Sequence, residues 1–375
     1  MARNEIVIPI NFGIRQDIND ISTSLYFKEV ENGYVEDGSM RSEPSYVPYA
    51  VFNGTGQVDG YAVTITLQDN IEYFGIKIDD KFYYCDRKDP DEQIIPLLEV
   101  GQFTLEDGTV YKNYDDGTMQ FAQWVWTEIS TAYMTRKGLP LYKIIPGSST
   151  TLGIPFSIEL VTPTYKILKG EKETAVYISA KYILVTKDRL FLGNLLIDEE
   201  DNPGTIMWSD INNPDDFEVT RSKEADIFNL GANANEVTGL AWTEGVVITF
   251  TKNSIWRSDY EGHDNRFRTT VLTSNTGCIY HYSVVTVNEI SYFIGKDNFY
   301  ALDGLTLVPI GDPIWNWFNQ VAEITKTDNI IGHYELDQDA VSWVFQKKDS
   351  GTFWCIKYSI RDKIWTTRVI NDEHI

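Results

Sequence analysis

Cysteine and histidine are scarce in this chain. Its three cysteines, Cys85, Cys278 and Cys355, stand far apart in strand-like surroundings such as Phe82-Tyr83-Tyr84 and Phe353-Trp354. An odd, sparse set gives neither a disulfide framework nor a CxxC metal pair. Buried free thiols are expected, and a reducing assembly compartment such as cytoplasm fits. The four histidines, His263, His281, His333 and His374, show no HExxH or paired metal spacing. No run of about 18 apolar residues is present, so no transmembrane helix or membrane anchor is expected. Met1-Ala2-Arg3-Asn4-Glu5 leads into no signal-peptide core. Positive charge is also short, with 32 Lys and Arg against 55 Asp and Glu, a net charge of −23. A surface that grips nucleic acid by neutralising phosphates needs the opposite sign. That sign still allows a passage through which DNA slides without sticking.

Aromatic residues are abundant instead. The 375 residues include 10 Trp, 22 Tyr and 18 Phe, and 42% are hydrophobic, which excludes a disordered chain. The length allows two or three domains of about 150 residues, or one large all-β domain. Short runs of Val, Ile, Thr, Tyr, Phe and Trp are broken by Gly, Asp, Asn and Lys-Asp pairs, the writing of strands. Helical periodicity over more than about ten residues is hard to find. The best short helix lies near 313–321, with Asp312 available as N-cap and Pro313 in the first turn.

One pattern recurs: a polar turn, an apolar strand, a second polar turn, then a strand carrying aromatics. Its copies begin near Gln68, Trp126, Lys181, Thr243, Asn288 and Asp337, at spacings of 58, 55, 62, 45 and 49 residues. Each spacing suits one four-stranded propeller blade with insertions. Such a blade cannot cover both its faces alone, whereas blades packed face to face cover each other. The pattern predicts an all-β fold, a β-propeller of about six irregular blades over 56–375, with a tandem of β-sandwiches as the rival. A long loop is expected at 194–235. The first 55 residues do not match the repeat and read as an N-terminal arm or small platform. Within them Ile6-Val7-Ile8-Pro9-Ile10 reads as an edge strand, because of Pro9.

No nucleotide or catalytic signature emerges. Gly54-Thr55-Gly56-Gln57-Val58-Asp59-Gly60 departs from GxGxxG and is a better hairpin loop. There is no GxxxxGK[ST], no GxSxG and no kinase set. Asp198-Glu199-Glu200-Asp201-Asn202-Pro203-Gly204 offers oxygen ligands to calcium but lacks the EF-hand alternation. A solvated acidic loop is the simpler reading. No carboxylate pair is marked as a glycosidase pair. The expectation is therefore no catalysis, no cofactor and no metal.

Two passages go further. The first is Lys187-Asp188-Arg189-Leu190-Phe191-Leu192-Gly193-Asn194, followed by Ile206-Met207-Trp208-Ser209-Asp210 and Asn213-Pro214-Asp215-Asp216-Phe217. The second is Gly277-Cys278-Ile279, Ser283-Val284-Val285, then Tyr292-Phe293-Ile294-Gly295 and Tyr300-Ala301-Leu302-Asp303-Gly304. Together they resemble the β-propeller tail nozzle proteins of short-tailed bacteriophages, also called tubular tail or packaged-DNA-stabilisation proteins. The match covers about residues 175–320, and Gln123-Trp124 to Tyr142-Lys143 looks like an earlier blade of the same kind. The chain has no room for the large insertions some members carry. The resemblance implies a virion structural protein, assembled in the bacterial host cytoplasm. It implies a homo-oligomeric ring of six copies below the portal and adaptor that extends the DNA channel, retains packaged DNA and releases it. A carboxylate-lined lumen repels the duplex backbone and lets it pass.

Candidate contact residues follow from these passages. Trp208, Asp210, Asn213, Pro214 and Phe217 are expected to fix the long loop beside a blade, with plain core packing as the alternative for Phe217. Trp315 and Trp317 are expected to dock the short helix on a platform or neighbouring subunit, or to be buried in their own chain. Arg257, Arg266 and Arg268 form a basic island in an acidic chain. They are candidates to pair with carboxylates of the next subunit, or form a solvated surface patch. The rival function is a ligand- or glycan-binding β-propeller, motivated by rings able to stack on sugars. A glycoside hydrolase propeller is a more distant third.

Overall fold

A computed structural model describes residues 33–36, 39–42, 50–51, 63–66, 72–78, 81–86, 95–96, 98–102 and 120–370, the last without 127–128, 150–153, 162–164, 170–171, 232–233, 263–265, 326–329, 349 and 351. Side chains are described for 131–144, 159–161, 165–167 and 174–370, with the same gaps. The reading of Ile6–Ile10 as an edge strand, the glycine loop at 54–60, His263 and His374 lie outside the described residues. So does most of the expected 1–55 arm.

The early strands are β1 (Gly33–Glu36), β2 (Ser39–Ser42), β3 (Ala50–Val51), β4 (Val63–Thr66), β5 (Glu72–Ile78), β6 (Lys81–Asp86), β7 (Ile95–Pro96) and β8 (Leu98–Gln102). β1 pairs with β2, β3 runs parallel to β7, and β4-β5-β6-β8 form a four-stranded sheet.

Next come β9 (Gln120–Trp126), β10 (Ile129–Arg136), β11 (Leu139–Ser149) and β12 (Ile154–Leu160), in one antiparallel meander. A two-stranded excursion, β13 (Tyr165–Lys169) and β14 (Lys172–Val176), follows. The next meander is β15 (Ile178–Val185), β16 (Leu190–Ile197), β17 (Glu200–Trp208) and β18 (Asp226–Asn229). Then come β19 (Val237–Thr243), β20 (Val246–Thr251), β21 (Ile255–Gly262) and β22 (Arg266–Thr273). After them are β23 (Val285–Val287), β24 (Ile290–Ile294), β25 (Phe299–Leu302) and β26 (Leu307–Pro309). A helix, α1 (Trp315–Val321), precedes the last meander, β27 (Ile331–Glu335), β28 (Ala340–Gln346), β29 (Phe353–Ser359) and β30 (Trp365–Ile370). From β9 onward, each four-stranded sheet is built from consecutive strands in spatial order. The fold is all-β, a five-bladed β-propeller from β9 to β30.

The repeat read from the sequence maps onto the four-stranded sheets with one slip, its first run falling on β5 and β6, ahead of the five blades. Five of the six runs join the second and third strands of their sheet, as β20 and β21 do around Lys252-Asn253. The third run is out of phase by one strand. Its Lys187-Asp188 turn joins the first and second strands, β15 and β16, and Lys181 is a strand residue 5% exposed rather than a turn. The equivalent turn of that blade is Asp198-Glu199. Both residues have positive φ, 50° and 66°, as a two-residue hairpin of the I′ kind requires. This corrects two expectations. Glu200, Asp201 and Asn202 belong to β17 and pair with Ile197, Leu196 and Leu195, so they are not an acidic loop. The expected loop at 194–235 shrinks to 209–225, flanked by β17 and β18.

The chain divides into two compact units, Met1–Val47 with Ala241–Asp259 and Thr269–Ile375, and Pro48–Leu240 with Tyr260–Arg268. In the first unit the sheet β23–β26 is covered on both faces. Alternate strand residues point to opposite faces. Tyr292, Ile294 and Phe299 therefore join one apolar cluster with α1 and the β27–β30 sheet. Phe293, Tyr300 and Leu302 join another with Val246, Ile248 and Phe250 of β20. Phe299 is the hub of the first cluster. Its ring lies 4.8 Å from Trp365, 5.0 Å from Phe318, 5.1 Å from Trp343 and 5.8 Å from Trp315. The indole N–H of Trp343 donates to the Ser283 carbonyl at 2.8 Å, and that of Trp365 to the Ile310 carbonyl at 2.9 Å. Neither buried N–H is left without an acceptor.

Two glycines of the second motif passage are explained by geometry. A Cβ on Gly277 would sit 2.1 Å from the Thr251 carbonyl oxygen, where the neighbouring Cys278 N–H also bonds. Gly304 has φ +93°, in a turn where the Asp303 carboxylate accepts from the N–H groups of Leu305 and Thr306. Cys278 and Cys355 are buried, and Cys278 Sγ lies 3.2 Å from the Tyr280 carbonyl; the Cys85 side chain lies outside the described residues. The second unit has its own apolar cluster, built from Tyr133, Leu141, Ile178, Leu190, Leu192, Met207 and Phe217 among others.

α1 does not start as the sequence suggests. Asp312 does not cap it; its carboxylate takes the Asn298 side-chain N–H at 2.6 Å. Ile314 holds the N-cap position with no side-chain cap, and the first turn closes on the Gly311 carbonyl. The helix is held by burial of Trp317 and Phe318 rather than by capping.

The last sheet carries a polar cluster. Glu335 accepts Ser342 Oγ at 2.5 Å and Lys357 Nζ at 2.7 Å, with His333 Nε2 at 3.4 Å. Burial pushes its carboxyl up. The His333 hydrogen bond, the Lys357 charge and the hydrogen bonds from Lys357 and Ser342 outweigh that and bring it down to about 2.

Two outcomes follow for this unit. Phe299→Ala empties the hub of the ring cluster and should cost about 3–5 kcal/mol in urea unfolding. Glu335 is depressed below its unfolded value of about 4.3, so its stabilisation is present above that pH and lost as pH falls toward about 2. The stability gap between the wild type and Glu335→Gln should close over that window in denaturant titrations at stepped pH.

Candidate functional site

The stretch 209–225 carries most of the motif residues, and nearly every polar group in its first half has a partner within the second unit. β17 ends on Trp208, 2% exposed, whose indole N–H reaches across to the Glu224 carbonyl at 2.9 Å. Ser209 bonds Leu190 twice, through its backbone N–H and by accepting at Oγ from the Leu190 N–H. Asp210 accepts the Glu224 N–H at 2.7 Å, and its own N–H reaches the Asp216 carbonyl. Asn212 sits at φ 55°, and its N–H bonds the Asp188 carbonyl. Asn213 forms a bridge with Asp210, and its carbonyl accepts the Asp216 N–H at 3.2 Å, which closes a second turn around Pro214 and Asp215. Phe217 then drops into the apolar cluster at 3% exposed.

Charged residues pin the turn. Asp215 accepts Tyr133 Oη and Lys143 Nζ, each at 2.6 Å. Burial and the Asp215 charge hold the Tyr133 phenol well above its usual value. Asp216 and Glu218 share Lys223 at 2.5 and 2.7 Å, and Glu218 also takes Lys166. Those two lysines hold the half-buried Glu218 carboxyl down at about 2.

Beside this turn lies a buried cation. Arg189, 0% exposed, pairs with Glu224, itself 7% exposed. Its guanidinium carbon lies 4.8 Å from the Tyr260 ring centre and 5.4 Å from that of Phe267. Nε lies 3.5 Å from Asp188 Oδ1, Nη1 has no hydrogen bond, and the ring faces cover the rest of that charge. Tyr260 Oη donates to Glu224 at 2.8 Å. Phe267 packs edge-on to Phe191 at 5.2 Å and to Trp208 at 5.1 Å. Tyr260 of β21 and Phe267 of β22 therefore close over Arg189. Arg189 belongs to the first motif passage, where the sequence assigns it no role. It stands at the head of the apolar run Leu190-Phe191-Leu192, after the charged Lys187-Asp188. Glu224 carried no signal at all.

The other candidates separate. Arg266 takes part in the same closure, bonding Asp226 at 2.6 Å and the Thr220 and Lys223 carbonyls. Arg257, in the first unit, forks onto Asp259 and reaches the Gly304 carbonyl at 3.2 Å. Both arginines are occupied within the chain. Arg268 is the exposed one, at 68%, with Glu261 at 3.5 Å. Trp315 and Trp317 pack within the apolar cluster of their own unit, where Trp317 meets Trp354 at 5.7 Å. The expected island is thus no single site. Among the described residues, no three metal-ligating side chains converge. A cleft of about 280 Å³ in the second unit is lined by Gly138, Pro140, Tyr177, Ser179, Asp198 and Glu199 among others.

No protein-family model matches this chain, and no curated protein sequence matches it. Among solved structures, a quinonprotein alcohol dehydrogenase-like protein of Bacteroides thetaiotaomicron is similar over 84% of this chain and 66% of that one, at 10% identity and a TM-score of 0.40. The match therefore spans just under two thirds of that protein's length.

The Arg189–Glu224 pair makes a sharp expectation. Arg189→Met leaves a buried carboxylate without its cation and should cost about 3–5 kcal/mol. Adding Glu224→Leu should return most of that loss, because an apolar pair removes the uncompensated charge. Urea unfolding of the two single variants and the double variant closes this cycle.

Proposed function

We propose that this chain is a structural component of a bacteriophage tail, a nozzle or hub ring that extends the DNA channel below the portal and adaptor. One observation carries the reading. The passage that resembles the tail nozzle family, Trp208-Ser209-Asp210 through Asn213-Pro214 to Phe217, is an architectural turn whose polar groups largely serve to hold its own shape. Residues kept for architecture suit a protein whose work is to be a rigid part. The net charge of −23 suits a channel that must not hold the duplex it conducts. In this reading the protein is not an enzyme. It works in the virion, in contact with copies of itself and with other tail proteins.

The rival reading, a ligand- or glycan-binding propeller, rests on the cleft of about 280 Å³. That volume sits just under the range of about 300–1,000 Å³ that ligand pockets occupy. Stacking rings are also few among the described residues. Trp242 and Tyr260 are the large aromatics exposed there, and Tyr260 is already committed to Arg189 and Glu224.

Quantitative mass spectrometry of purified virions, counted against the portal protein, tests the proposal. About six copies per particle are expected of a nozzle ring. About twelve would move the chain to an adaptor-type ring. Absence from the particle would overturn the tail reading and favour the binding propeller.

A further inference from the structure

Lys137 lies in the turn between β10 and β11, and its side chain is buried, at 7% exposed. Its Nζ is 2.6 Å from Oδ1 of Asn194, a residue of β16 in a different sheet. The same Nζ is 2.5 Å from Oδ1 of Asp201 in β17. Asn194 is 1% exposed and sits at a bulge between Gly193 and Leu195 with φ 59°. Its Nδ2 donates to the Val237 carbonyl at 3.0 Å, which fixes the flip of the amide and aims Oδ1 at the lysine. A primary amine, a primary amide and a carboxylate thus meet at one partly dry point of the second unit. With a C=O bond of about 1.23 Å, an amine at that distance from Oδ1 is no farther than about 3.8 Å from Cγ. That is close to the separation of about 3–3.5 Å at which bound groups react.

We propose that Lys137 and Asn194 join in an intramolecular isopeptide bond, with Asp201 as the proton-transfer group. The ammonium of Lys137 gives a proton to Asp201 Oδ1, which lies within reach for a general base. The lone pair freed on Nζ attacks Cγ of Asn194 and forms the new C–N bond. The excess proton on that nitrogen passes to Nδ2 as the carbonyl re-forms. The Cγ–Nδ2 bond breaks, and ammonia leaves with the bonding pair. Asp201 returns its proton to the departing ammonia and is a carboxylate again. Lysine ammonium and asparagine amide become a secondary amide and ammonium, with no oxidant, reductant or metal consumed. The product ties two sheets across 57 positions of sequence, as a disulfide would, but with a bond that thiols do not cleave. The proposal stands apart from the tail reading and does not depend on it.

Peptide mapping of the purified full chain tests it. The expected digest holds one branched peptide that joins Lys137 to Asn194 and is lighter by one ammonia, with trypsin blocked after Lys137. A chain cleaved at Lys137, with Asn194 in an unmodified linear peptide, overturns the proposal. So does loss of ammonia from Asn194 without the branch, because a cyclised asparagine would account for it. Lys137→Arg should give no branch. Asp201→Asn changes a side chain that is 61% exposed, so the fold is expected to persist, and it should yield mainly the unlinked chain. A folded Asp201→Asn chain that links as fully as the wild type removes the assigned proton transfer and overturns the proposal in that form.

Discussion

A sheet with two apolar faces must be covered twice, and this requirement governs most of what the chain does. β24 shows it in five residues, where Tyr292 and Ile294 enter one cluster and Phe293 the other. No residue of that strand is spare for a solvent face, and its burial is nearly continuous. Aromatics suit such a position, because one ring fills the depth between sheets and still finds an edge or face to meet. The abundance of Trp, Tyr and Phe is thus a packing material first. Few large rings remain exposed among the described residues, which is why stacking on a ligand has little to work with.

Where a large ring is buried, its polar atom has to be provided for. Trp208, Trp343 and Trp365 each send the indole N–H to a backbone carbonyl of a loop, at Glu224, Ser283 and Ile310. One residue thereby fills a core and anchors a connection. The same economy appears with charge. Asp210 and Asp215 hold their turn through a backbone N–H, a phenol and a lysine. Arg189 brings two rings and a carboxylate together at one buried point. An acidic chain of this kind spends part of its carboxylates as internal fasteners and displays the rest.

Strands and their turns were legible in the sequence because alternation and polar dipeptides are local signals. Lys252-Asn253 and Asn288-Glu289 break runs of Val, Ile and Phe, and each proves to be a turn. The third repeat failed for a physical reason. Lys181 is charged yet buried in a strand, and Asp198-Glu199 looks like the start of a polar loop when it is a two-residue hairpin. Polarity marked both sites, and tertiary partners decided their meaning. The candidate contacts fared similarly. Trp208, Asp210 and Phe217 all bear on one loop, 209–225. Arg257, Arg266 and Arg268 were grouped by nearness in sequence, and the fold gives them unrelated partners. Glu224 and Phe267 became visible as members of the Arg189 closure only in three dimensions, since neither lies in a recognisable pattern. The meeting of Lys137, Asn194 and Asp201 has no sequence signal either, because three unremarkable residues from three strands and turns converge.

The β21–β22 hairpin has a consequence for the order in which the chain can be finished. Its tip, Tyr260–Arg268, belongs to the second unit, while the flanking parts of its two strands belong to the first. During synthesis the ribosome delivers β15 to β18 well before that tip. Arg189 and Glu224 therefore wait without Tyr260 and Phe267 until much of the following blade has emerged. A fragment cut after Leu240 would hold most of the second unit and lack its cover. The second unit is therefore completed only by a piece that runs on through Arg268 and carries 241–259, which belong to the first, along with it.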